Sequence, residues 1–376
     1  MKTKAAVLTT CGAPRPFATS KPIQILELDL DPPGEGEVLV KVGGAGLCHS
    51  DLSLINGDRP RPTPIVLGHE GSGEIVEVGK GVHDVKAGDH VCFTFNVSCG
   101  RCRRCLEGRP YICERSVTPR AAGQLLSGHH RLHLDGKPVN HQSGVSCYAE
   151  YAVVDRGSVV VIDKSLPLDL AALFGCAVVT GVGAVVNTGR IEAGSTVAVV
   201  GLGGVGLSGL LGAVLAGASQ IVAIDLSDEK LGLARQLGAT HTVNARDADH
   251  VKQVRDLTNG GVDYAFDLAG TIKSMETAYL VTRWGGTTVS AGLSPIGANF
   301  SFAQSGLVSE EKTIKGSYMG SCVPVRDIPR FITLYQQGKL PVDRMVSQRI
   351  GFDEVNAGFD RLQDVATVRQ ILVPHG

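Results

Sequence analysis

From about residue 180 onward, short apolar runs alternate with longer stretches whose apolar positions recur at helical spacing. TVAVVGLGG (196–204), QIVAID (220–225), HTVNA (241–245), VDYAFDLAG (262–270) and GTTVSAG (286–292) read as strands. LSGLLGAVLAG (207–217) and EKLGLARQLG (229–238) read as helices crossing between them. That alternation predicts a doubly wound parallel sheet. Residues 1–160 have a different texture. Gly and Pro punctuate short runs such as EVLVKV (37–42) and GSGEIVEVG (71–79), which predicts a β-rich domain with many turns. Beyond about 320 the pattern mixes again, and VRQILVP (368–374) reads as a strand returning to the first domain.

The stretch Val197–Gly217 is uncharged and long enough to span a bilayer. Its seven glycines, most of them at a strand-to-helix turn, favour a core segment and no membrane. A chain of 376 residues is long for one core, so two domains are expected. Lys plus Arg (36) nearly balance Asp plus Glu (37), and the signs are interspersed, which gives no footprint for nucleic acid or an anionic membrane. The N-terminus, MKTKAAVLTTCGAPRP, lacks an apolar run long enough for a secretory signal, so a cytoplasmic protein is expected. In a reducing compartment, closely spaced members of the ten cysteines favour metal over disulfides.

Cys99, Cys102, Cys105 and Cys113 form C-x2-C-x2-C-x7-C. Four thiolates on one loop can close a tetrahedral shell around a structural zinc; an iron–sulfur cluster or two disulfides are the rival readings. Arg101, Arg103, Arg104 and Arg109 are expected to offset the thiolate charge. A second set is dispersed: Cys48 in GLCHSDL, His69 and Glu70 in LGHEGSG, Cys176 in FGCAVVTG. Each is weak alone, since an isolated cysteine is usually a small buried hydrophobe. Together, two thiolates and an imidazole leave a fourth position open, as a catalytic zinc needs. Asp51 is a candidate to hold the His69 ring, and Glu70 to approach or tune the metal.

GLGGVG (201–206) follows a predicted strand and opens a predicted helix, with Gly201, Gly203 and Gly206 in G-x-G-x-x-G. Asp225 ends the next strand, 19 residues on. Glycines there admit a pyrophosphate to the helix N-terminus, and the acid bonds a ribose 2′-hydroxyl, favouring NAD over NADP. Lys230 is a further candidate contact to the adenosine ribose.

These motifs, in this order and approximate spacing, resemble the zinc-dependent medium-chain alcohol dehydrogenases, in the liver-type long-form branch, over essentially the whole chain. The resemblance implies an α/β protein: a GroES-like β-rich catalytic domain (1–178, with 320–376 returning to it) and a Rossmann NAD-binding domain (179–319). It implies two zinc ions per chain, with Cys48, His69 and Cys176 at the catalytic one and the four-cysteine loop at the structural one. Ser50 corresponds to the hydroxyl that takes the alcohol's proton. His49 and Arg369 correspond to pyrophosphate contacts, and Thr180, Gly204 and Val205 to cofactor-site positions. Phe95, Leu293 and Tyr318 fall where the family lines its substrate pocket. The implied activity is reversible oxidation of a primary or secondary alcohol, medium-chain aliphatic or aromatic, to an aldehyde or ketone.

The segment AAGQLLSGHHRLHLDGKPVNHQSGVS (121–146) is one that long-form relatives keep; they are commonly homodimers, shorter relatives tetramers. Its histidines, His129, His130, His133 and His141, read as members of a solvated loop. Two departures stand out. Ser53 occupies a position where many relatives continue the proton relay with histidine, and Val117 one where the branch acting on the glutathione adduct of formaldehyde has arginine. That branch, a polyol or sugar dehydrogenase, and a non-enzymatic NAD-binding structural protein are the alternatives.

Overall fold

In the computed structural model, which describes residues 1–362 and 367–376, the chain divides into two compact units. The first comprises Met1–Cys176, Val323–Ile332 and Val346–Gly376; the second comprises Ala177–Cys322 and Thr333–Met345. Residues 333–345, within the stretch expected to return to the first domain, therefore group with the second unit. Among the described residues no single helix is long and apolar enough to cross a membrane. The uncharged stretch from Val197 is a buried strand, Thr196–Val200, followed by the helix Gly204–Leu215.

The first unit holds two β-systems. Lys2–Leu8, Ile23–Leu30, Leu132–Leu134, Lys137–His141 and Ile65–Val66 close a barrel. A larger sheet runs Val159–Val161, His90–Phe93, Gly71–Val78, Glu37–Gly46, Arg369–Leu372, Val346–Ile350, with Tyr151–Asp155 also paired to Glu37–Gly46. The C-terminal run does return: Ile371 pairs with Gly46 and Leu372 with Ala45, antiparallel.

The solvated-loop reading of the histidines in 121–146 holds for His129, which is exposed outside any strand, and fails for His133 and His141, which lie in the strands Leu132–Leu134 and Lys137–His141. Asp135 and Gly136 take φ of 51° and 74°, a turn whose twist suits a two-residue hairpin. The hairpin buries Leu132, Val139 and His141, which are 2%, 0% and 1% exposed. Alternation with polar residues concealed these strands, because only one face of each meets the core.

In the second unit six strands lie in the order His241–Asn244, Gln220–Asp225, Thr196–Val200, Val262–Asp267, Thr282–Ser290, Thr313–Gly316, all parallel. Numbered along the chain this is 3-2-1-4-5-6, the doubly wound order. It reverses beside Thr196–Val200, the strand that feeds the glycine loop.

Candidate metal centre and nucleotide loop

The cysteine loop brings four sulfurs within 4.8 Å of one another. Cys102 Sγ lies 3.5 Å from Cys105 Sγ and 3.9 Å from Cys113 Sγ. A tetrahedral ion with bonds of about 2.3 Å requires sulfurs about 3.8 Å apart, so the donor set fits zinc. The Cys102 N–H donates to Cys99 Sγ and the Cys99 N–H to Cys113 Sγ. Backbone N–H contacts, first that of Cys105, hold the Cys102 thiol low, at about 6, while burial pushes Cys105 up to about 12. Of the four arginines expected to offset the thiolate charge, Arg103 and Arg104 both donate to Glu107, at 2.8 and 2.9 Å, so an acid takes part of their charge. The sequence reading missed Asn96. Buried, it donates to the Tyr111 carbonyl (2.7 Å) and accepts from Arg120 (2.7 Å), tying the lobe to the strand end.

The dispersed set also converges. Donor atoms of Cys48, His69, Glu70 and Cys176, all buried, lie within 4.8 Å of one another. Cys48 caps the helix His49–Ile55, and its N–H donates to Asp51 Oδ2 (3.2 Å). His69 and Glu70 lie between the strands Ile65–Val66 and Gly71–Val78, and Cys176 follows the short 3₁₀ turn Ala172–Gly175. His69 Nδ1 is 2.8 Å from Asp51 Oδ1, which leaves Nε2 on the cluster side, 3.5 Å from Cys176 Sγ. For a tetrahedral zinc with ordinary Zn–S and Zn–N bonds, that separation is about 3.6 Å.

Hydrogen bonding from Cys176, then the positive His69, hold the Cys48 thiol well below its usual range; Cys176 is correspondingly raised. Burial alone lowers the His69 pKa, but Asp51 and Cys48 outweigh it and the net shift is well upward. Arg369 Nη1 is 3.2 Å from Glu70 Oε2, yet it donates to the Leu47 carbonyl (3.1 Å). Neither buried oxygen of Glu70 has a hydrogen-bond partner among the described residues. Burial pushes this carboxyl up to about 7 against the pull of Arg369. Glu70 is thus ion-paired to Arg369 while standing within 4.8 Å of the Cys48, His69 and Cys176 donors, where its charge can tune a metal.

His49 is exposed and Ser50 half-buried on the first turn of the same helix. Ser53 donates to the Ser50 carbonyl at 2.8 Å, so its proton is committed to backbone. Phe95 meets the His69 ring edge-on, with centroids 5.7 Å apart. Gln142 and Tyr148 went unnoticed in the sequence; both contact Asp51, and neither belongs to a recognisable motif.

In the second unit, Gly203 caps the helix Gly204–Leu215. A Cβ on Gly206 would stand 1.7 Å from the Gly201 carbonyl, whereas one on Gly203 would project into open space. The loop is thus closed internally and bare outward, which fits a pyrophosphate at the helix N-terminus. Asp225 accepts from the N–H of Leu202 (2.6 Å) and of Ser227 (3.0 Å), so the acid is bonded to the loop it serves. Lys230 is half-buried one turn into the next helix, its N–H capped by Ser227. Thr180 is buried, and Val205 half-buried with its carbonyl close against Gly181. Leu293 is exposed and Tyr318 half-buried, both in this unit.

Residues 34–164 match the family described as Alcohol dehydrogenase GroES-like domain, and residues 204–337 the family Zinc-binding dehydrogenase. The chain is 40% identical over 377 residues, 99% of each chain, to the NDMA-dependent alcohol dehydrogenase of Amycolatopsis methanolica. It is 35% identical to the S-(hydroxymethyl)glutathione dehydrogenase of Paracoccus denitrificans, over 99% of this chain and 100% of that one. The crystal structure of benzyl alcohol dehydrogenase from Acinetobacter calcoaceticus superposes with a TM-score of 0.92 at 34% identity, covering 100% and 99% of the two chains.

Proposed function

The chain belongs to the zinc-dependent medium-chain alcohol dehydrogenases, and from that premise we propose that it uses NAD to oxidise a medium-chain aliphatic or aromatic alcohol at Cys48, His69 and Cys176. The carrying observation is the buried convergence of those three donors, with the His69 Nδ1 side engaged by Asp51. Bound there, zinc supplies Lewis-acid polarisation of the alcohol oxygen, and NAD supplies the hydride acceptor. A second zinc at Cys99, Cys102, Cys105 and Cys113 is structural, since four thiolates leave it no open position.

The chain's own groups do the rest. Ser50, two residues from Cys48, takes the alcohol's proton. With Ser53 committed to the Ser50 carbonyl, that proton leaves by solvent or cofactor ribose and not along a histidine relay. Gly201, Gly203, Gly204 and Gly206 admit the pyrophosphate, with His49 and Arg369 as further contacts. Asp225 accepts from the ribose and repels a 2′-phosphate, and Lys230 adds to the adenosine side. Thr180 and Val205 border the nicotinamide; Phe95, Leu293 and Tyr318 line the alcohol site. We further assign the protein as a cytoplasmic homodimer.

The test is metal analysis joined to turnover. Two zincs per chain are expected, and Cys48→Ala should hold one and lose alcohol-dependent NADH formation while still binding cofactor. Substantial turnover by that variant refutes the assignment. A panel of aliphatic and aromatic alcohols and S-(hydroxymethyl)glutathione, with NAD, NADP and NDMA in parallel arms, identifies substrate and acceptor.

A further inference from the structure

His69 presents Nε2 only as well as Asp51 holds Nδ1, so the groups that hold Asp51 decide how firmly the ligand is aimed. Asp51 is fully buried and its two oxygens face four donors. Oδ1 takes His69 Nδ1 at 2.8 Å and the Gln142 side-chain amide at 2.6 Å. Oδ2 takes the Tyr148 phenol at 2.7 Å and the Cys48 N–H at 3.2 Å.

Gln142 and Tyr148 are 5% and 0% exposed, and both come from the segment that follows the barrel hairpin. Gln142 uses its other end as well: its carbonyl oxygen accepts the Gly68 N–H at 2.6 Å, immediately before His69 in the chain. One side chain therefore clamps the backbone that carries the ligand and the acid that orients it. Tyr148 also lies 2.8 Å from the Gly46 carbonyl. Its single proton can serve one acceptor, and the charged carboxylate is the stronger. Gly68 allows this packing: at φ 96°, a Cβ there would sit 2.5 Å from the Tyr148 ring.

We propose that Gln142 and Tyr148 are positioning residues, which saturate the Asp51 carboxylate and so hold His69 with Nε2 aimed at the metal. This rests on the metal assignment above. Removing either donor frees Asp51 to rotate, and ligand-orienting partners of this kind are typically worth about 10- to 100-fold in metal affinity.

The experiment follows zinc release to a chromogenic chelator from the purified full chain, comparing wild type, Tyr148→Phe, Gln142→Met and His69→Ala. Wild type should release two ions in separable phases, and His69→Ala should lack one of them. Tyr148→Phe and Gln142→Met should each speed that same phase by about tenfold or more, leaving the other phase unchanged. Substituting cobalt at the affected site supplies a visible spectrum, which both variants should shift. Release at wild-type rates in both variants overturns the proposal while the metal centre stands. Equal acceleration of both phases also overturns it, as general loosening. A wild type holding one ion, or a His69→Ala variant holding two, brings down the underlying assignment with it.

Discussion

His141 makes the stability of this protein sensitive to mild acid. The imidazole is 1% exposed, and its Nε2 accepts the Arg131 N–H at 3.1 Å, so that nitrogen must stay unprotonated in the folded chain. A second proton would break the bond and place a cation in the barrel wall, stacked 6.5 Å from His130. Burial first, then the positive charge of His130 and Arg131, lowers its pKa from 6.5 to about 3. The unfolded chain therefore binds this proton more readily than the folded one. The stability linked to His141 is fully present above 6.5 and is lost as pH falls toward about 3.

Integrated over that window the loss approaches about 5 kcal/mol; between about pH 7.5 and about pH 5 it is about 2 kcal/mol. His141→Gln keeps a neutral acceptor for the Arg131 N–H and has nothing to titrate. Urea unfolding of both proteins at the two pH values isolates the effect, since every other titrating group is common to them. The gap between the two stabilities should change by about 2 kcal/mol in favour of the variant at the lower pH. Parallel pH dependence of wild type and variant would refute the reasoning.

Three further outcomes are expected. Ser50→Ala should lower kcat for alcohol by about 10²- to 10³-fold with zinc content unchanged, read by steady-state kinetics beside metal analysis. Cys102→Ser should reduce bound zinc by one per chain and lower the thermal midpoint, because the lobe of residues 96–120 then keeps only contacts such as those of Asn96. Asp225→Ser should shift the NADP-to-NAD ratio of kcat/KM by about tenfold or more, about 1.4 kcal/mol; an unchanged ratio removes Asp225 from cofactor selection.

The two metal clusters differ in how they were legible. Cys99 to Cys113 span 15 positions, so turns within one loop bring the sulfurs together. Cys48, His69 and Cys176 are separated by as many as 128 positions, and family resemblance joined them where spacing could not. The misread hairpin has a related cause. HLDGK carries a hairpin turn signal, yet the histidine-rich, polar faces of both strands suggested solvent. Burial of His141 depends on which face the barrel turns inward, and neighbours in sequence do not report that.

Spacing within a few turns of chain thus determined by itself the cysteine loop and the glycine turn, since local backbone geometry suffices to place their donors; Asp225 meets that turn because its strand pairs with Thr196–Val200. Tertiary structure alone decided the surroundings of the dispersed ligands. The pairing of Ile371 with Gly46 carries Arg369 to the Leu47 carbonyl and Glu70. The wrap of residues 142–148 over 66–69 brings Gln142 and Tyr148 onto Asp51. A buried charge must find its partners wherever the fold puts them, and those partners carry no periodicity or spacing by which the chain could announce them.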